Sequence, residues 1–382
     1  MIDINTISKL KELPTPFYYY DTDLLKKTCE KVKILSEKHG YKIHFAVKAN
    51  ANPKILNIIS SFGFGADCVS WNEIERSIDC GFQASDIVFA GVGKTDKDIE
   101  RALAADIFCF NCESLPEIEI INSLASKSGK IATIALRINP YIEAHTHKYI
   151  TTGIEESKFG INIWELDEIL KHIPQFRNTS LEGIHFHIGS QITRMSVFKS
   201  LCTRINKLQE YFTSHRVNLK IINVGGGLGI DYKNPDKMAR FDEYFSILNR
   251  FVSLFPGQGI HVEPGRSIVG QCGSLISRVL FIKKGRKTTF AVIDAGMNDL
   301  IRPALYQAYH KIENLTSNGK LHKYDVVGPV CESADSFAKF TELPETRRGD
   351  IIAIRSAGAY GESMSSRYNL RDLPGACFSD EL

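Results

Sequence analysis

Short apolar runs separated by stretches of helical periodicity constrain this 382-residue chain more than any other feature. The runs fall near residues 43–47, 65–69, 87–90, 107–110, 132–138, 181–187, 220–224 and 259–263. Between them lie amphipathic or capped stretches, among them 53–61, 71–80, 96–104, 114–127, 164–172, 195–213 and 240–254. Eight strands with helical crossovers in about 240 residues have the count and size of a (β/α)8 barrel. A doubly wound open sheet is the competing architecture.

The pattern changes after residue 264. Short strand-like runs at 274–282, 288–294, 324–330 and 350–355 are broken by Gly, Pro and Asn, which reads as a mostly β domain. At the other end, Pro14-Thr15-Pro16 leads into an aromatic strand, Phe17–Tyr20, and Asp21-Thr22 offers an N-cap for a helix over 22–38. That first strand has no barrel partner. The expected division is therefore a barrel over 22–264, with 1–21 and 265–382 forming the β domain.

Hydrophobic residues make up 43% of the chain and charged residues 24%, the balance of a protein that buries a real core. The net charge of +3 points to neither nucleic acid nor a membrane surface. Met1-Ile2-Asp3-Ile4-Asn5 lacks the regions of a signal peptide, and no apolar run reaches the roughly 18 residues of a membrane span. Nine scattered cysteines suit free thiols in a reducing cytoplasm, the expected location.

Candidate functional residues cluster where strands end. Lys48 follows Ile43–Val47 and precedes the turn-forming Asn50-Ala51-Asn52-Pro53. A lysine there is either a solvated surface charge or an amine for covalent chemistry with a carbonyl. Alternation sends His185 and His187 of Ile184–Gln191 to one face, with His187 nearer the mouth of a barrel. Gly225-Gly226-Gly227, after the seventh run, can converge backbone N–H groups on a phosphate, or can be a tight turn alone. A dinucleotide fingerprint fails, because Ile230 stands where its third glycine belongs. Gly91-Val92-Gly93-Lys94-Thr95 fails as a P-loop, since Val88 occupies the position of the first glycine. Glu263 and Arg266 close the eighth run and suit ligand recognition or a salt bridge. Cys331-Glu332 and Tyr360 lie in short turns of the β domain. His145 and His147 have no carboxylate or cysteine cluster beside them, and Cys109-Phe110-Asn111-Cys112 has no second C-x-x-C, so no metal is expected.

Taken together, "FAVKAN" with Lys48, "HIGSQ" with His187, "GGGLGI" with Gly225–Gly227, "EPGR" with Glu263, "GPVCES" with Cys331 and "GAYG" with Tyr360 recur in one order. The chain resembles the fold-type III pyridoxal-phosphate decarboxylases, which share the alanine-racemase-like barrel, and the likeness covers nearly its whole length. The resemblance implies that Lys48 holds pyridoxal phosphate covalently and that His187 stacks on its ring. Ser190, the backbone of Gly225, Gly226 and Gly227, and Tyr360 would bind the phosphate, and Glu263 would pair with the ring nitrogen. Arg266, Arg302, Tyr306, Tyr360 and the partner-supplied Glu332 would recognise substrate, and Cys331, also from the partner, would protonate the product carbon. It further implies a homodimer with shared active sites.

Within that family the residues favour a decarboxylase over a racemase, because a carboxylate at the ring nitrogen deepens the electron sink. The arginines suit a substrate with two carboxylates. The implied reaction is decarboxylation of meso-2,6-diaminopimelate to L-lysine. The rivals are decarboxylation of another basic amino acid or a carboxylated polyamine, and a non-catalytic regulatory homologue. Two departures stand out: Trp71 replaces a glycine in Val69-Ser70-Trp71-Asn72-Glu73, and Ala334 replaces one in Cys331–Asp335. Ala334 is tolerated unless its backbone needs a positive φ.

Overall fold

The computed structural model describes residues 3–142 and 158–382. The chain divides into two compact units. One comprises Cys29–Gly229 and Arg240–Gly265, and the other Met1–Thr28, Ile230–Ala239 and Arg266–Leu382. The stretch 230–239, which the sequence pattern leaves with the barrel, thus groups with the β-rich unit.

The aromatic strand β1 (Phe17–Tyr20) comes first in the chain. The next eight, β2 (Lys42–Ala46), β3 (Gly65–Cys68), β4 (Ile87–Phe89), β5 (Cys109–Cys112), β6 (Ala132–Arg137), β7 (Thr179–His185), β8 (Ile221–Asn223) and β9 (Gly259–Val262), form a closed parallel barrel. Closure runs through Lys42 with His261 and Ile43 with Val262, which rules out the open sheet. Both faces of these strands are covered. Phe45, Ala66, Phe89, Phe110, Ile134, Leu136, Ile184 and Ile222 are all essentially buried. That is why the strands read as continuous apolar runs rather than alternating ones. The helices between them start where side chains satisfy their first N–H groups: Asn52, Ser70, Thr95 and Ser114 each accept a backbone hydrogen bond.

The other unit is a mixed sheet built from β10 (Gly273–Lys284), β11 (Thr289–Ile293), β12 (Ile312–Asn314), β13 (Leu321–Val327), β14 (Ser336–Pro344), β15 (Ile351–Ile354) and β16 (Gly375–Phe378). As the sequence suggests, β1 joins this sheet, antiparallel to β10 and parallel to β16. Leu10, Phe17, Tyr19, Ile276, Ile351 and Ala353 pack into one of its cores. Strands β12, β14 and β16 escape the sequence pattern. Two are only three or four residues long, and β14 contains Phe340 at φ +52°. No helix among the described residues is long and apolar enough to cross a membrane.

Candidate active site

At the C-terminal ends of the barrel strands the composition inverts. Asp67 near the end of β3, Asn111 in β5, and Arg137, His185 and Asn223 closing β6, β7 and β8 are all polar and buried, as is Glu263 just after β9. Polar groups in an apolar barrel are costly unless they satisfy one another. These largely do. Glu263 Oε2 lies 2.9 Å from His185 Nε2, while Oε1 accepts from Asn223 Nδ2 at 2.7 Å and Asn111 Nδ2 at 3.3 Å. Burial works to raise the Glu263 pKa, but the His185 hydrogen bond and charge, with the nearby Lys48 ammonium, hold it well below the usual carboxylate range. Among the described residues these three donors leave one acceptor position of a four-site carboxylate available.

Lys48 sits in the single turn, Val47–Ala49, that follows β2. Its Nζ is 3.1 Å from Asp67 Oδ2, and its side chain is 34% exposed whereas that of Asp67 is 1% exposed. Burial and the Glu263 charge push Asp67 up to about 6 against the pull of Lys48, and Asp67 Oδ1 has no hydrogen-bond partner among the described residues. His187, half-buried, is kept neutral: desolvation lowers its pKa first, and the Lys48 and Arg137 charges lower it further.

The glycine triplet threads a gap too tight for side chains. A Cβ on Gly225 (φ +69°) would come within 1.9 Å of the Phe186 carbonyl, and one on Gly226 within 2.2 Å of the Glu263 carbonyl. The Gly225 N–H donates to Asn223 Oδ1 at 2.9 Å. The N–H groups of Gly226 and Gly227 meet no acceptor among the described residues. Ser190 lies on the adjoining loop, where the Ile192 N–H donates to the Gly227 carbonyl at 2.8 Å.

In the β-rich unit, Arg302 opens a short helix, Arg302–Tyr306, and is 5% exposed. Its guanidinium lies 5.8, 5.9 and 6.0 Å from the rings of Tyr232, Tyr306 and Tyr360. Arg266 stacks 4.8 Å from Tyr360 and donates through Nη1 to the Tyr232 hydroxyl at 2.6 Å. Burial lowers the Arg302 pKa, and the like charge of Arg266 adds to this. Cys331 and Glu332 stand exposed on a loop tied down by Asp335, whose carboxylate accepts from Met297 N and Val330 N at 2.7 Å each. Tyr368 donates to Glu332 Oε1 at 2.7 Å.

A model of the pyridoxal-dependent decarboxylase family, covering its pyridoxal binding domain, matches residues 24–270. The chain belongs to the pyridoxal-dependent decarboxylases. It is 53% identical to the diaminopimelate decarboxylase of Bacteroides thetaiotaomicron over the full length of both. It is 41% identical to that of Helicobacter pylori over 94% of this chain and 88% of the relative. Among solved structures, Helicobacter pylori diaminopimelate decarboxylase complexed with L-lysine superposes with a TM-score of 0.93 at 38% identity, covering 98% of this chain and 94% of that one.

The cofactor of this family is pyridoxal phosphate, and the residues at the barrel mouth fit it. An amine stands at a strand end, a carboxylate held ionised has one acceptor position open, a neutral imidazole lies near both, and two glycine N–H groups lack acceptors. These are the counterparts of an aldehyde, a ring nitrogen, a ring face and a phosphate.

The structure thus gathers Lys48, His187, Ser190, Gly225–Gly227 and Glu263 in one unit. Arg266, Arg302, Tyr306 and Tyr360 form a cluster in the other, and Cys331 and Glu332 share a separately anchored loop there. Cys109 and Cys112 are buried thiols whose pKa values burial drives upward. No group of three or more metal-ligating side chains occurs among the described residues, and His145 and His147 lie outside them. Trp71 merely opens a helix, its Nε1 donating to Glu75 at 3.2 Å, and Ala334 has no positive φ. Sequence reasoning missed Asp67, Asn111, Asn223, Tyr232 and His310, and gave His185 no role. For the barrel residues a signal exists: each is a polar side chain at or near the end of an apolar run.

Proposed function

We propose that this enzyme decarboxylates meso-2,6-diaminopimelate, releasing carbon dioxide and L-lysine. The observation that carries the reading is the buried Glu263 carboxylate, kept ionised by His185, Asn111 and Asn223 at the barrel mouth. Relatives named for this reaction match the chain along its length, and one neighbour holds L-lysine.

Pyridoxal phosphate, when bound, supplies a conjugated ring that accepts the electron pair left as carbon dioxide departs. The chain does the rest. Lys48 Nζ would hold the cofactor, and Asp67, 3.1 Å from that nitrogen, can hold or release a proton there. Glu263 keeps a proton on the ring nitrogen, which a neutral partner could not do. The neutral His187 imidazole packs against a ring face without adding positive charge. Ser190, the N–H groups of Gly226 and Gly227, and Tyr360 bind phosphate, while Gly225 fixes the turn. Arg302, with Arg266, Tyr306 and Tyr360, binds the carboxylate that remains on the product. In a homodimer, Glu332 of the second copy receives the distal amine, and its Cys331 Sγ–H gives a proton to the carbon that lost carbon dioxide. The nine free cysteines suit a reducing cytoplasm.

The test is carbon dioxide release from meso-diaminopimelate, ornithine, lysine and arginine, with and without added pyridoxal phosphate. Release from diaminopimelate alone, and only with cofactor, is the expected result. Equal or faster release from ornithine or arginine overturns the substrate assignment.

A further inference from the structure

Arg302 has no carboxylate partner among the described residues, yet it is nearly buried beside the like charge of Arg266. A long side chain in that position needs something to hold its direction. The contact that does so comes from His310, which is 2% exposed and belongs to no motif.

The hydrogen bonds of His310 define its state. Nδ1 lies 3.0 Å from the main-chain carbonyl of Arg355, an oxygen that can only accept. Nδ1 therefore carries the ring proton and Nε2 presents its lone pair. Arg302 Nε, which can only donate, points at Nε2 from 3.4 Å. A doubly protonated ring would set N–H against N–H, so the geometry requires neutral imidazole. The anchor is firm as well. The Arg355 N–H donates to the Lys311 carbonyl at 2.8 Å, and its guanidinium is held by Glu313 at 2.7 Å and Asp236 at 2.9 Å. Tyr232 packs edge-on to His310 at 5.1 Å and bonds Arg266, so one aromatic pair steadies both arginines.

A guanidinium is a rigid planar fork, so fixing Nε fixes the direction of both Nη groups. We propose that His310 is a specificity-determining positioning residue, holding Arg302 by Nε so that its outer edge meets the carboxylate the substrate keeps. This rests on the reading that Arg302 binds that carboxylate. Because the carboxylate survives into the product, the contact is the same before and after reaction. Losing it raises KM and leaves kcat largely alone.

The experiment uses holoenzyme and the acceptor-free variants His310→Phe and His310→Leu, with His310→Gln as a variant that retains an acceptor. Both acceptor-free variants are expected to raise KM for meso-diaminopimelate about tenfold or more, with kcat within about twofold. Binding of L-lysine weakens in parallel. Binding of 1,5-diaminopentane, which has no carboxylate, does not change, and His310→Gln recovers part of the loss. An unchanged KM in both acceptor-free variants, a fall in kcat at constant KM, or equal weakening of lysine and diaminopentane overturns the proposal. Arg302→Met separates the two readings. If it leaves lysine binding intact, the carboxylate assignment fails. If it abolishes binding while the His310 variants do not weaken it, only the role of His310 fails.

Discussion

A histidine–histidine pair and a histidine–carboxylate pair are buried in the same barrel, and only the second is built around an ion. Beside the starts of β4 and β5, His44 Nε2 lies 2.8 Å from His261 Nδ1, and His44 Nδ1 donates to the Asp86 carbonyl at 2.9 Å. Phe108 stacks on His261 with 5.5 Å between centroids. Burial lowers the His44 pKa, and burial with the His44 neighbour pushes His261 down to about 3. Toward the C-terminal ends of the strands, His185 meets Glu263 instead, and two asparagines also donate to the carboxylate. Burial opposes charge in both places, but only at the mouth are there donors enough to outweigh it. The lower pair packs the barrel interior; in the proposed reaction the upper group is an electrostatic tool at the end of the barrel where such enzymes do chemistry.

Replacing each group in turn tests that contrast. Glu263→Gln keeps the shape and removes the charge. It is expected to lower kcat for carbon dioxide release by roughly 10²- to 10³-fold per folded molecule, and to lower the urea midpoint at neutral pH as well, since the bonds that depress the Glu263 pKa are weakened. His44→Leu should affect stability alone. It leaves His261 Nδ1 without its acceptor and costs about 1–3 kcal/mol of stability in urea unfolding, with kcat per folded molecule unchanged. If His44→Leu lowers kcat as much as Glu263→Gln, the division between the two ends is wrong.

Acid unfolding sharpens the comparison. The histidines of the lower pair have folded pKa values below the unfolded value of about 6.5. The unfolded chain therefore binds protons that the folded chain refuses, and stability falls as pH drops from about 6.5 toward about 3. The slope is at most about 1.4 kcal/mol per pH unit for each histidine. Glu263 has a depressed pKa, so its contribution is present above about 4.5 and is lost only below that. The stability curve of His44→Leu/His261→Leu should thus part from that of the parent below about pH 6.5, and that of Glu263→Gln only below about pH 4.5. Smaller still, Asn223→Ala should lower kcat about tenfold, and Asn111→Ala, whose bond is 0.6 Å longer by the difference of 3.3 and 2.7 Å, by less. Equal effects from the two would mean that the Glu263 shell acts as a unit rather than bond by bond.

The sequence reveals the barrel because doubly buried parallel strands are unbroken apolar runs and because Ser, Thr and Asn mark where helices begin. It reveals Lys48, the glycines and Glu263 because each sits in a motif at a strand end. Asn111 stayed hidden inside a C-x-x-C, where the thiols draw attention although the amide between them contacts Glu263. Tyr232 and His310 carry no local pattern. Their importance depends on residues 230–239 joining the β-rich unit and on where one carbonyl points, and both are settled by tertiary packing. The same holds for β12 and β16, which are too short to show periodicity and form because neighbouring strands present open edges.

The most direct measurement is to reduce the pyridoxal-phosphate holoenzyme with borohydride and map the labelled peptide. A single label on Lys48, with cofactor retention lost in Lys48→Ala, is the predicted result. A label on another lysine, or none on a protein that still releases carbon dioxide, would contradict the assignment of the barrel mouth as the active site.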